Sequence, residues 1–276
     1  MAEQSHEDGP APQAPISPAP QAPISKVAPQ PGWDAMLEDL LGLNIRGLNT
    51  VGAVFLKPKR VFEAARSRSW QDGAYTPSIR LFVSLMMLVL LLQAFWAGPD
   101  SKLARIQTDT IQAQIDSQVP EALLPFITSE NIWQTAIVSM PFATLIVMFV
   151  AALLLRVWGS GAKTVTRVRY YFLAAIPGWV FSFGLAMVAE AFSASQALLI
   201  VSISPLIVMG IDGITAWRGN PAGYTKFARI WRAGLFGLTN TIVYVVASFA
   251  MFSYAAEVVT SGALEAAQAA GVVLTP

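Results

Sequence analysis

Residues 133–155 read WQTAIVSMPFATLIVMFVAALLL, 23 consecutive positions without a charged side chain. Wound as an α-helix at about 1.5 Å per residue, this stretch covers the ~30 Å hydrocarbon core of a bilayer. Lipid offers no partner to backbone N–H and C=O groups, so a chain that crosses it must satisfy them within a helix or a closed barrel. Four further segments are also long and apolar, with at most one charged residue each: Ile79 to Gly98, Tyr170 to Phe192, Ser195 to Trp217 and Ala233 to Tyr254. The sequence therefore specifies an all-α fold, a polytopic helical membrane bundle with five transmembrane helices.

The connections alternate in charge. Lys57, Lys59, Arg60, Arg66, Arg68 and Arg80 precede or open the first segment; Arg156, Lys163, Arg167 and Arg169 separate the second and third; Arg218, Lys226, Arg229 and Arg232 separate the fourth and fifth. Only Lys102 and Arg105, of the 18 Lys and Arg residues, fall on the other side. Lys and Arg near span ends are retained in the cytoplasm, which predicts a cytoplasmic amino terminus and a periplasmic carboxyl terminus. The net charge of +1 conceals this partition. Zero Cys leaves no disulfide, thiolate metal ligand or thiol nucleophile, and the Arg- and Ala-rich composition suits a bacterial inner membrane protein.

Four regions follow. Residues 1–32 hold eight of the 18 prolines and repeat themselves, Ala11 to Ser17 and then Ala19 to Ser25. Such a segment cannot bury enough apolar surface to fold alone, and it has neither a basic start nor a signal-peptide core, so it reads as a disordered Pro/Ala/Gln-rich cytoplasmic tail. Residues 33–78 carry two amphipathic stretches: Trp33, Met36, Leu37, Leu40, Leu41 and Leu48 at helical spacing, then a short helix opening at Pro58 that buries Val61, Phe62 and Ala65. Residues 79–256 form the transmembrane domain, and 257–276 read as a short outside tail without visible purpose. The sizeable outside loop, Pro99 to Ile132, has Leu103, Ile106, Ile111, Ile115 and Val119 on a helix ended by Pro120. Two positive charges minus five negative ones give the loop −3. It suits an amphipathic cap on the bundle, or a contact surface.

Within the spans, Ala174, Gly178, Ser182 and Ala186 recur every four residues, a small-residue stripe that lets a neighbouring helix approach. Gly210 and Gly213, with Gly234 and Gly237, offer opposing surfaces. Asp212 is the anomaly, because a mid-span acid costs about 3 kcal/mol on insertion scales and needs a partner. One reading pairs it with Arg169, Arg229 or Arg232 as a structural ion pair; another sets it with Asn240 on a polar transport path. Glu190 lies at the opposite boundary, too far to form a catalytic carboxylate pair with Asp212. Pro141, Pro177 and Pro205 interrupt three spans and are expected to bend them.

Enzymatic readings lack parts. The single His is His6, no Lys lies mid-span, no Ser stands near a plausible base, and no glycine-rich phosphate loop is present. No catalytic residue, cofactor, metal site or nucleic-acid partner is expected. The expected partners are the bilayer and another membrane protein or a second copy.

The order of a Pro-rich tail, the approach Phe55-Leu-Lys-Pro-Lys-Arg-Val-Phe62, and five spans resembles the bacterial branch of the YIP (Ypt-interacting protein) superfamily, as does Gly161-Ala162-Lys163-Thr164 before the third span. The Asp-Leu-Tyr-Gly-Pro signature of eukaryotic members is absent. Tyr75 to Phe82 also resembles the approach to the first span in a family of uncharacterised bacterial membrane proteins. The absent catalytic groups, the small-residue stripe and the cytoplasmic tail and collar point to a non-enzymatic integral membrane scaffold or adaptor, YIP-like in layout. The alternative is a small transporter or channel subunit using Asp212 and Asn240.

Overall fold

The computed structural model describes residues 45–67, 75–96, 98, 100–117, 119–158, 162–220 and 225–272. All regular structure among them is helical: α1 (Ile45–Leu56), α2 (Pro58–Ser67), α3 (Ser78–Trp96), α4 (Lys102–Asp116), a 3₁₀ turn (Glu121–Phe126), α5 (Ser129–Leu154), α6 (Thr164–Ala189), α7 (Ala194–Gly219) and α8 (Lys226–Ala269). Five of these, α3 and α5 to α8, are long and apolar enough to cross a membrane. The tail and the Trp33 to Leu41 stripe lie outside the described residues.

The spans are ordered by their buried faces. α6 is the central helix: half of its most apolar stretch is buried, against 22–33 % for the other four. Every residue from Tyr170 to Trp179 is buried, so this part of the helix is surrounded by protein on all sides. α7 packs on α6, α8 on α7, α5 on α8, and α5 returns to α6, with α3 laid against α6. The other spans turn Leu, Ile, Val and Phe outward; Phe142, Leu154, Leu206 and Phe249 are all exposed, as suits a lipid-facing surface. Ser193 caps α7 through a reciprocal bond with Gln196, which makes the α6–α7 connection a tight antiparallel turn.

On the positively charged side, α1 and α2 form a collar docked on α6 and α7. Pro58 opens α2, where its missing N–H costs nothing, and Val54, Val61, Phe62 and Ala65 turn inward. The Phe62 ring meets Tyr170 at 5.0 Å and Trp158 at 5.6 Å between centroids. It lies so close to Gly219 that a Cβ there would come within 2.7 Å of the ring. Arg218 donates to the carbonyls of Phe55 and Leu56 at 3.0 Å each, satisfying acceptors that the end of α1 leaves open. Thr76 N–H donates to Thr50 Oγ1 at 2.9 Å, tying α1 to the start of α3.

The opposite side is capped. α4 buries Ala104, Thr108, Ile111 and Ile115, and the last two join Ile132, Ala136, Ala255, Ala256 and Val259 in a small core. The connection between α3 and α5 is thus an amphipathic cap resting on the bundle. Glu190 anchors it: its carboxylate accepts from the N–H groups of Lys102 (3.0 Å) and Leu103 (2.8 Å). Those are orphan donors of the α4 first turn, where a negative charge also meets the positive end of the helix dipole. Lys102 Nζ in return donates to the carbonyls of Glu190 (2.7 Å) and Phe192.

One sequence expectation fails here. Residues 257–269 are no short tail but the end of α8, which continues unbroken to Ala269, 44 residues or about 66 Å in all. The extension buries Ala255, Val259, Ala263 and Ala267, one face at four-residue spacing, while α8 packs against α4 and the 3₁₀ turn. Hydropathy falls after Tyr254 because these small residues pack against protein rather than lipid.

Candidate polar site within the spans

Asp212 sits on α7 with 0 % of its surface exposed. Two donors reach it from two other spans. Gly178 N–H on α6 donates to Oδ1 at 3.1 Å, and Asn240 Nδ2 on α8 donates to Oδ2 at 2.5 Å. Asn240 in turn accepts from Tyr171 Oη of α6 at 2.7 Å through its Oδ1. The phenol proton and the amide proton therefore run in one direction, Tyr171 to Asn240 to Asp212, an arrangement in which each bond polarises the next. Tyr244, one turn beyond Asn240, adds a second phenol whose hydroxyl is also buried.

Each partner has a local reason for its place. Tyr171 and Gly178 are seven residues apart on α6 and so lie on one face two turns apart. Pro177 has no N–H to give to the Leu173 carbonyl, one intrahelical bond fewer next to Gly178. Gly178 must lack a side chain, since a Cβ there would lie 2.2 Å from Asp212 Oδ1 and 2.6 Å from its Cγ. Asp212 thus occupies the space that glycine leaves. The α7–α8 contact uses the same device at Gly237, where a Cβ would lie 2.5 Å from the Met209 carbonyl oxygen. Gly210 and Gly234 have nothing within 4 Å and take no part in it.

The structure brings Asp212 and Asn240 together and sends the arginines elsewhere. No ion pair joins Asp212 to Arg169, Arg229 or Arg232; its partners among the described residues are Gly178 and Asn240. Arg169 donates to the Ala65 carbonyl at 3.2 Å, holding the collar, and Arg229 donates to the Trp217 carbonyl at 2.9 Å with its guanidinium 5.9 Å from the Trp217 ring. The reason is depth. Arginines at span ends find helix-terminal carbonyls nearby, whereas Asp212, within its span, finds neutral donors. Of the small-residue stripe, Ala174 and Gly178 are buried in the α6 seam, while Ser182 and Ala186 are only partly covered.

Tyr171 is the member that the sequence reading missed; its spacing of seven from Gly178 was the available signal. A groove of about 730 Å³ between α5 and α8 and a pocket of about 540 Å³ beside the collar are lined by other residues. As built, the cluster can tie three helices through the hydrogen bonds that link Tyr171, Asn240, Asp212 and Gly178. These features define a multi-pass helical membrane protein with a buried polar tie. Comparison with known families, curated proteins and solved structures gives no match.

Proposed function

We propose that the protein is a non-enzymatic scaffold or adaptor of a bacterial inner membrane, YIP-like in layout, with its amino terminus in the cytoplasm and its carboxyl terminus in the periplasm. The observation that carries this reading is the way both ends of the bundle are fastened. On one side the collar is held by Phe62 over Gly219 and by Arg218 and Arg169 on its carbonyls. On the other, Glu190 and Lys102 lock the cap. Between them, Asp212 has both oxygens occupied and none of its surface exposed. A bundle fastened in this way suits a fixed platform that presents the collar and the Ala/Pro repeat of residues 11–25 to a partner, since proline-rich segments bind with little loss of conformational freedom.

Cross-linking in whole cells, followed by purification of the full chain in mild detergent, tests it. A stable protein partner or a homo-oligomer is expected, with capture reduced when residues 1–32 are deleted. A monodisperse monomer without a cross-linked partner counts against the proposal. A transporter or channel subunit is the second reading, favoured by the meeting of Asp212 with Asn240 at 2.5 Å. Flux into proteoliposomes that is present in the wild type and lost in Asp212→Asn would establish that reading instead.

A further inference from the structure

The corner between α1 and α2 meets the end of α7 and the start of α8 in an open pocket of about 540 Å³, lined by Leu56, Lys57, Lys59, Arg60, Trp217, Arg218 and Arg229 among others. Five of those side chains are cationic and none is acidic. Among the described residues the acid paired with any of the five is Glu63, 4.0 Å from Lys59, with both side chains 62 % exposed. Such a pair is too wet to offset much charge. Lys57 and Arg60 form no ion pair among the described residues and are exposed at the rim.

Two of the cations are held by backbone carbonyls, whereas the rim lysines and Arg60 are exposed. Arg218 is held by the carbonyls of Phe55 and Leu56, and Arg229 by the carbonyl of Trp217 and its ring, so both guanidinium groups keep their charge but are set in place. Arg229 also keeps a buried Nε donor without an acceptor. The first turn of α2 opens on the same corner without an acidic residue, adding the positive end of a helix dipole. Like charges gathered in a concavity repel one another, and the arrangement is offset when an anion with several acceptor oxygens sits among them.

We infer that this pocket binds a phosphate-bearing anion. Its depth suits a lipid headgroup: Arg218 lies in the last turn of one span, Arg229 in the first turn of the next, and Trp217 is an aromatic residue of the interfacial kind. A free phosphate compound offers the same oxygens, so the two sources are separated by experiment. The inference does not depend on the scaffold reading.

The test uses the full chain, delipidated in a neutral detergent, with cardiolipin, phosphatidylglycerol, phosphatidylcholine and inorganic pyrophosphate as probes. Binding is read by thermal shift and by native mass spectrometry. Cardiolipin should bind more tightly than phosphatidylglycerol, phosphatidylcholine should bind weakest, and added salt should weaken the anionic lipids. Each neutralised cation near an anionic surface should weaken binding about fivefold, so Lys57→Gln with Arg60→Gln should lose about 25-fold and Lys59→Gln about fivefold. Arg60→Lys should retain most of the affinity. These side chains are exposed, so the variants should unfold like the wild type in the absence of lipid. Binding of pyrophosphate with the same sensitivity assigns the site to a soluble phosphate; binding of the anionic lipids alone assigns it to a headgroup. Equal affinity of the Lys57/Arg60 double variant and the wild type, or equal binding of phosphatidylcholine and cardiolipin, overturns the inference.

Discussion

Replacing Gly178 by alanine isolates the contact on which the polar cluster depends. The added Cβ would lie 2.2 Å from Oδ1, 2.6 Å from Cγ and 2.8 Å from Oδ2 of Asp212. Comfortable contact between heavy atoms begins at about 3.5 Å, so the carboxyl group must retreat by about 1 Å or the two helices must part. Either movement stretches the 3.1 Å bond from Gly178 and the 2.5 Å bond from Asn240. Overpacking of a tight site costs about 1–3 kcal/mol, and two polar contacts between membrane helices add about 0.6 kcal/mol each. Alanine regains about 1 kcal/mol of helix propensity, which leaves a net loss of about 1–3 kcal/mol. Gly184→Ala on the same helix is the control, because nothing lies within 4 Å of its Cβ position. It should be neutral or slightly stabilising. Unfolding of both variants in mild detergent, by heat or by added denaturing detergent, provides the comparison. Asp212→Ala should lose stability by itself, and adding Gly178→Ala to it should cost little more, since the clashing group is gone. If Gly178→Ala unfolds together with Gly184→Ala, the packing of Asp212 against Gly178 is wrong.

Three further outcomes are expected. Glu190→Gln removes the charge at the start of α4 and should cost about 0.3–1 kcal/mol, seen as faster hydrogen exchange at Lys102 and Leu103; unchanged exchange there would oppose the cap assignment. Gly219→Ala should push the Phe62 ring aside and speed trypsin cleavage at Lys59 and Arg60, whereas an unchanged digestion rate would mean that the collar is not seated on that glycine. Single cysteines, introduced into a chain without native Cys, should label from outside cells at the exposed positions Ala113 and Ala266 and stay protected at Glu63, and the reverse pattern would invert the proposed orientation.

The spans were legible because some 20 apolar residues in a row have few other uses, and the helices begin one to seven residues before the expected segments. The far end of α8 was not, since Ala255, Val259, Ala263 and Ala267 carry too little hydrophobicity to mark a span although their four-residue spacing marks a packed helix face. α1 was obscured by Gly47, Asn49 and Gly52, whose low helix propensity is overridden by docking onto the bundle. Asp212 and Asn240 were legible as polar residues at similar depth. Their setting was not, because opposite charge suggested an arginine while the donors that reach Asp212 are an amide side chain and a backbone N–H beside a proline. Gly178 was read as room for a helix, and the structure fills that room with a carboxyl group. The cations of the collar pocket were each visible as markers of one membrane side, but their convergence depends on how α1 and α2 fold back, which linear spacing does not encode.

The central claim is that Asp212 and Asn240 together tie α7 to α8 within the bundle, and a double-mutant cycle tests it most directly. Asp212→Ala, Asn240→Ala and the double variant are unfolded alongside the wild type under one set of detergent conditions. Polar contacts between membrane helices average about 0.6 kcal/mol and reach about 1.7, so a coupling of about 1 kcal/mol is expected for two partners that are both buried. Strictly additive losses, with a coupling indistinguishable from zero, would contradict it.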